Sequence, residues 1–207
     1  MSTSSSIQVV TPHTTTILGG GGVIIYPTDT VYGLGADATN PQAVERVRTI
    51  KGRAAETPIL AMVRDVEMLR EYAHLTPLAE QLASTFLPGP LTLVLSPRTN
   101  ALEPIAAPDG SVGFRIPDHP VCSAISSAFP KPITSTSLNR SGLPQPRTLS
   151  AMLEQVGEQA ALVGTVIDHG TLPESLPSTI VDARDDAPRI VREGAIAAAD
   201  IIHTCGG

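Results

Sequence analysis

Residues 22–37 read GVIIYPTDTVYGLGAD, an apolar run that stops at Pro27 and is followed by Thr28, Asp29 and Thr30, then Tyr32, Gly33 and Gly35. A strand ending this way delivers hydroxyls and a close backbone approach to one place. Thr28, Thr30 and Tyr32 fall on alternate positions, so an extended chain sets them on one face, either to hold a small polar substrate or to cap a helix. A second hydroxyl-rich segment, ITSTSLNRSG at 133–142, alternates Ser135, Ser137 and Asn139. A third, STIVDAR, starts at Ser178. Three polar strand edges far apart in sequence point to one cleft assembled from distant parts of the chain.

Cations complete the set. Arg115 stands inside VGFRIP, where burial without a partner is costly. It either pairs with a carboxylate such as Asp118 or Asp182, or faces a cleft and takes a ligand carboxylate in a bidentate grip. Arg46, Arg48, Lys51 and Arg53 fall within eight residues, and Arg140, Arg147, Arg184, Arg189 and Arg192 flank the later motifs. Lys51 and Arg53, astride Gly52, suit a polyphosphate through charge-assisted hydrogen bonds, or a solvated helix end that complements the dipole. No phosphate-loop pattern is present, and the Gly19–Gly22 run lacks dinucleotide spacing. The five histidines and two cysteines have no zinc spacing, and neither a Ser-His-Asp order nor a paired-carboxylate signal occurs. Hydroxyls, Arg and Lys without an obvious side-chain nucleophile fit a transferase that works by positioning and charge stabilisation.

The elements that must position these residues alternate between strand and helix. A short helix over Thr14–Leu18 precedes the glycine turn and a buried strand at Val23–Tyr26. Asn40 and Pro41 open a helix whose buried face is Ala43, Val44, Val47 and Ile50, ending near Gly52. Ile59–Val63, Leu91–Leu95, Val112–Ile116, Ile133–Thr136, Val163–Asp168, Thr179–Val181 and Arg189–Arg192 read as strands. Between them, Asp65 caps a helix to Tyr72, and Pro77–Phe86 and Pro120–Phe129 are helical. Ser150 caps a helix around Leu153–Val156, and Ala195–Ala198 begins the last one. Residues 97–111 read as a turn-rich loop. The result is one α/β domain over residues 7–207 on a twisted mixed sheet with flanking helices, behind a flexible polar start at 1–6.

Composition sets the outer limits. At 207 residues the chain buries enough surface to fold without a metal or disulfide. Aromatics are 3% and Trp is absent, so stacking surfaces for bases are few. The net charge of −6 argues against a globally basic nucleic-acid surface. No stretch approaches the ~20 apolar residues of a membrane span, and the first ten residues lack a signal-peptide pattern. A soluble cytoplasmic protein without membrane contact is expected.

The segments PTDTVYGLGAD, IKGR, LPGPLTLVL, VGFRIPDHP, STSLNRSG, STIVDAR and IVREGAI occur in the order of the YrdC-like threonylcarbamoyl-AMP synthases, and the chain resembles that family from about Gly20 to Ile202. The resemblance implies a twisted α/β fold with a large concave cleft. The implied reaction joins L-threonine, bicarbonate and ATP into L-threonylcarbamoyladenylate and pyrophosphate, with Mg²⁺ held through the triphosphate and no protein metal site. The product feeds the t6A modification at position 37 of tRNA through a separate transferase complex. By matched position, Thr30, Met62, Arg115, Ser135 and Ser178 are expected at the threonine site. Lys51, Arg53, Thr57, Ser111, Ser137, Asn139, Gln145 and Arg192 are expected at ATP, with Lys51, Arg53 and Arg115 catalytic.

The sequence departs from the family pattern at several places. Leu138 replaces the usual Ala, Leu87 the usual Trp, Thr57 an Asn, Gln145 a Ser, and Glu193 the usual Pro after Arg192, where it could pair with that arginine. The longer family form adds a C-terminal domain that this sequence, ending at Gly207, does not contain. Other readings are a module that binds double-stranded RNA or tRNA weakly, an accessory subunit weakened by the Glu193 change, and an adenylating enzyme using carbamoyl phosphate. The last lacks the acylphosphatase and zinc-finger domains that go with it in hydrogenase maturation.

Overall fold

The structure, a computed structural model, describes residues 12–146 and 148–206. The expected flexible start at 1–6, and Arg147 of the basic set, lie outside the described residues. Seven helices are described: α1 (Pro12–Gly19), α2 (Pro41–Lys51), α3 (Val66–Tyr72), α4 (Pro77–Phe86), α5 (Pro120–Ala128), α6 (Leu149–Val156) and α7 (Ala198–Cys205). The strands are β1 (Val23–Pro27), β2 (Tyr32–Gly35), β3 (Leu60–Met62), β4 (Ala73–His74), β5 (Leu91–Pro97), β6 (Val112–Arg115), β7 (Ile133–Ser137), β8 (Val163–Val166), β9 (Thr179–Asp182) and β10 (Arg189–Arg192). They form one mixed sheet in the order β10-β9-β5-β6-β3-β7-β2-β1-β8, with β4 attached to β5. The expected α/β fold on a mixed sheet is what the chain forms. No helix among the described residues is long and apolar enough to cross a membrane.

Local chemistry sets the element ends. The Asn40 side chain accepts from the backbone of Gln42 and Ala43, Pro41 opens α2, and Gly52 closes it at φ 57°. Thr148, not Ser150, caps α6, because its hydroxyl is the one that reaches the amide of Ala151. The 97–111 loop contains a 3₁₀ turn at Asn100–Ile105, capped by Thr99. The last helix begins at Ala198, later than expected.

Strand alternation divides the sheet into two faces. Ile25, Leu34, Ala61, Leu93, Phe114 and Val181 point into the main core against α2, α3 and α4. On the opposite face, Ile24, Tyr26, Met62 and Ile133 form a smaller core with Leu18 of α1 and Val121 and Ile125 of α5. Those two helices cover only part of that face. The same-face positions farther along the strands, Leu60, Gly113, Arg115, Ser135 and Ile180, line cavities instead. The cleft is therefore the uncovered portion of a sheet face, and β7 runs through its middle. Ser135 is paired with Leu60 of β3, and Ser137 with Gly33 of β2.

Candidate functional site

The segment after β1 is a tight turn, which corrects the extended reading of 28–32. The Thr28 hydroxyl accepts from the amides of Thr30 and Val31 and donates to the Val31 carbonyl at 2.7 Å. Thr28 and Thr30 stay together, their hydroxyl oxygens 3.1 Å apart. Tyr32 does not join them in the cleft. Its side chain is buried, and its hydroxyl donates to the Gly170 carbonyl at 2.7 Å and accepts from the His169 amide at 2.8 Å. The turn inverts the strand direction and so breaks the alternation on which a shared face depends.

Arg115, on the last position of β6, reaches this turn. Its side chain is only 6% exposed and pairs with Asp29 at 2.5 Å, while Nη1 donates to Thr30 Oγ1 at 3.0 Å. The partner is thus Asp29, neither Asp118 nor Asp182. The backbone amide of Asp118 bonds the second Asp29 oxygen, and Asp182 is held by Arg184 and Arg189. Those contacts, the Arg184 hydrogen bond first, hold the Asp182 carboxyl well below the usual carboxylate range. Arg115 Nε is buried with no hydrogen-bond partner, in a place where an unpaired donor is costly.

Thr30, Arg115, Ser135 and Ser178 line one cavity of about 250 Å³, together with Arg53 and Ser137. Met62 lies outside it. Although β3 gives Met62 the same face as Leu60, α5 covers that end of the strand and packs Met62 into the smaller core. Beneath the cavity, Tyr26 is fully buried and donates to the Thr134 carbonyl at 3.1 Å; burial pushes its phenol well up. A Cβ on Gly35 would come within 2.8 Å of the Tyr26 ring. Close packing, not conformation, requires glycine there.

A second, more open cavity of about 500 Å³ is lined by Lys51, Arg53, Thr57, Ser137, Asn139 and Gly142. It shares Arg53 and Ser137 with the first, so the two are neighbouring compartments of one cleft. Lys51 Nζ donates to the carbonyls of Ser137 and Asn139 and to Asn139 Oδ1. Three oxygens favour the ammonium, but burial opposes it with Arg53 adding repulsion, and the lysine is pulled down to about 7. Arg53 donates to Thr136 Oγ1 at 3.0 Å and to the Pro58 carbonyl at 2.8 Å, leaving its buried Nε unpaired. The other members of this basic cluster serve the fold. Arg48 donates to the carbonyls of Ala54, Thr57 and Pro104, and Arg46 to that of Gly21.

Arg192 arrives by a bulge. The β10–β9 register pairs Ile190 with Val181 but Arg192 with Ile180, so Val191 is an inserted residue. Without it Arg192 would follow the alternation away from the cleft. As folded, the residue is largely exposed but its Nη2 donates to the Ser178 carbonyl at 2.7 Å, and partial desolvation there, with the nearby Arg115, lowers its affinity for a proton. Glu193 is exposed, and among the described residues no ion pair joins it to Arg192. Two expected ATP residues stand apart. Ser111 donates to Asp109 at 2.6 Å and lines an apolar cavity that adjoins the first through Pro58, Leu60 and Ile180. Gln145 donates to the Tyr32 carbonyl at 3.2 Å and lines a small cavity on the far side of Thr30. Asp29, Thr92 and Thr136, which hold Arg115, Ser178 and Arg53, were not singled out by spacing; their signal is adjacency in space.

An α/β fold on a mixed sheet, with a cleft that brings hydroxyls, a buried arginine and a lysine–arginine compartment together, defines the class of protein. Residues 16–194 match the Sua5/YciO/YrdC family, described under telomere recombination, and the chain belongs to that family. A Methanocaldococcus jannaschii relative is 39% identical over 176 residues, 85% of this chain and 81% of its own length. The threonylcarbamoyl-AMP synthase of Vibrio vulnificus is 37% identical over 178 residues, covering 84% and 92% of the two chains. Among solved structures, Pyrococcus abyssi Sua5 complexed with L-threonine is similar with a TM-score of 0.82 at 31% identity. That likeness covers 93% of this chain and 56% of the other, so this chain spans about half of that relative.

Proposed function

We propose that this protein synthesises L-threonylcarbamoyladenylate from L-threonine, bicarbonate and ATP, releasing pyrophosphate. The observation that carries the reading is the sharing of Arg53 and Ser137 by the two compartments, one fitted for a carboxylate and one for phosphates. The threonine carboxylate meets Arg115, with Thr30, Ser135 and Ser178 offering hydroxyls around it. The triphosphate lies along Lys51, Arg53, Ser137, Asn139 and Arg192. Ser111 and the apolar walls beside it suit the nucleoside.

The threonine amine attacks the bicarbonate carbon, forming an N–C bond and expelling water, to give a carbamate. A carbamate oxygen then attacks the α-phosphorus; the bond to the β-phosphate oxygen breaks and its electron pair leaves with pyrophosphate. The chain's contribution is to hold the reacting groups together and to match the charge that develops on the phosphates. Mg²⁺ accompanies ATP, with the triphosphate as its main ligand. Among the described residues no group of three or more His, Cys, Asp or Glu is placed to hold a metal ion. Delivery of the product to a tRNA-modifying t6A complex, and weak tRNA contact, belong to the same proposal.

The test is incubation with ATP, Mg²⁺ and bicarbonate, with and without L-threonine, following pyrophosphate and identifying the nucleotide by mass spectrometry. Threonine- and bicarbonate-dependent threonylcarbamoyl-AMP is expected. Pyrophosphate release indifferent to threonine would overturn the assignment.

A further inference from the structure

Thr92 sits on β5 at the foot of the cleft, fully buried, and its hydroxyl lies 2.9 Å from Ser178 Oγ. The ladder pairs Leu93 with Phe114, so Thr92 and Arg115 are next in line. Its methyl faces Gly113, where an added Cβ would lie 3.3 Å from it. That packing fixes the rotamer and turns the hydroxyl toward Ser178. Among the described residues Ser178 is the only hydrogen-bond partner of this hydroxyl.

The contact permits either donor, but the surroundings choose one. If Ser178 donated, the Thr92 proton would be sealed in the sheet without an acceptor, a costly state. If Thr92 donates, Ser178 Oγ accepts from it and more distantly from Arg192 Nη2 at 3.4 Å, and its own proton is left for the cavity that Ser178 lines. We propose that Thr92 is a positioning residue that fixes Ser178 as a hydrogen-bond donor toward the cleft, and so tunes the site for an anionic substrate oxygen. This rests on the reading of Ser178 as part of the threonine site.

Threonine affinity of the full chain, measured by titration at saturating ATP analogue and as KM in turnover, tests it. T92V is expected to weaken threonine binding about 3–10-fold, the span of one hydrogen bond, with the KM for ATP unchanged. T92S, which keeps the hydroxyl, is expected to bind within about twofold of the parent on the same scale. The decisive comparison is T92V in the S178A background, where no further loss is expected because Thr92 acts only through Ser178. Parent-like binding by T92V would overturn the proposal, as would an equal loss on top of S178A, which indicates packing. If S178A itself binds threonine normally, the threonine-site reading falls and the proposal with it.

Discussion

Lys51 and Arg115 are both buried cations, yet the structure treats them differently. Arg115 has Asp29 as a counter-charge, whereas Lys51 has only neutral oxygens. Lys51 is therefore titratable where an exposed lysine is not. Its folded value of about 7 lies below the unfolded 10.5, so the unfolded chain binds more protons between them. Stability from this group is lowest below pH 7 and rises toward pH 10. If the triphosphate lies at Lys51 as proposed, its binding restores the ammonium, so ATP affinity is expected to fall as pH climbs above 7, with proton uptake visible by calorimetry in buffers of different ionisation heat. K51M should abolish the uptake; uptake that persists would assign it elsewhere. For Asp29, removing one member of a buried pair strands the other. D29A should cost about 3 kcal/mol of stability, read by denaturant melts, and weaken threonine binding, whereas D29N keeps an acceptor and should lose less.

At the scale of elements, two irregularities build the site: the 28–31 turn and the β10 bulge. The bulge is followed by tight backbone packing. A Cβ on Gly194 would lie 2.1 Å from the Pro177 carbonyl oxygen and 2.7 Å from the Ser178 carbonyl carbon, with no side chain to yield. Thr179 pins the same segment, accepting from the amides of Gly194 and Ile196 and donating to the Ile196 carbonyl. G194A must push the strand carrying Arg192 away from Ser178. A rise of at least about tenfold in the KM for ATP is expected, with a stability loss of about 2 kcal/mol. Unchanged kinetics would show that Arg192 does not depend on this anchoring. The helices and most strands were legible in the sequence, since caps and apolar spacing act over a few residues. The turn at 28–31 and the bulge were not, because a one-residue insertion leaves no mark on composition. The Leu138 departure is likewise explained only in three dimensions: that side chain is fully buried in the main core, facing away from the cleft.

For the whole molecule, the cleft joins residues from Thr28 to Arg192, so its formation requires the complete sheet. Ligands that occupy it must stabilise the global fold. ATP at about 100 times its Kd should add about 2.7 kcal/mol, which for this size is roughly 5–10 °C in Tm. A Tm that ignores saturating ATP would remove the cleft as its site. The negative net charge is no obstacle, because the basic residues are sorted: Arg46 and Arg48 brace loops, Arg184 and Arg189 pair with Asp182, Lys51, Arg53 and Arg115 line the cleft, and Arg192 holds Ser178 at its edge.

The sequence alone determined the α/β class, most of the helices, the hydroxyl and cation segments, and the family, because these rest on local spacing and ordered motifs. Only the tertiary structure decided that Asp29 is the partner of Arg115, that α5 seals Met62 from the cleft, and that Thr92 stands behind Ser178. It also decided that a bulge brings Arg192 to the Ser178 carbonyl. Those outcomes depend on which strands become neighbours in the sheet and which part of a face the helices leave uncovered; the Arg115 and Thr92 contacts span 85 and 86 residues and carry no local signature.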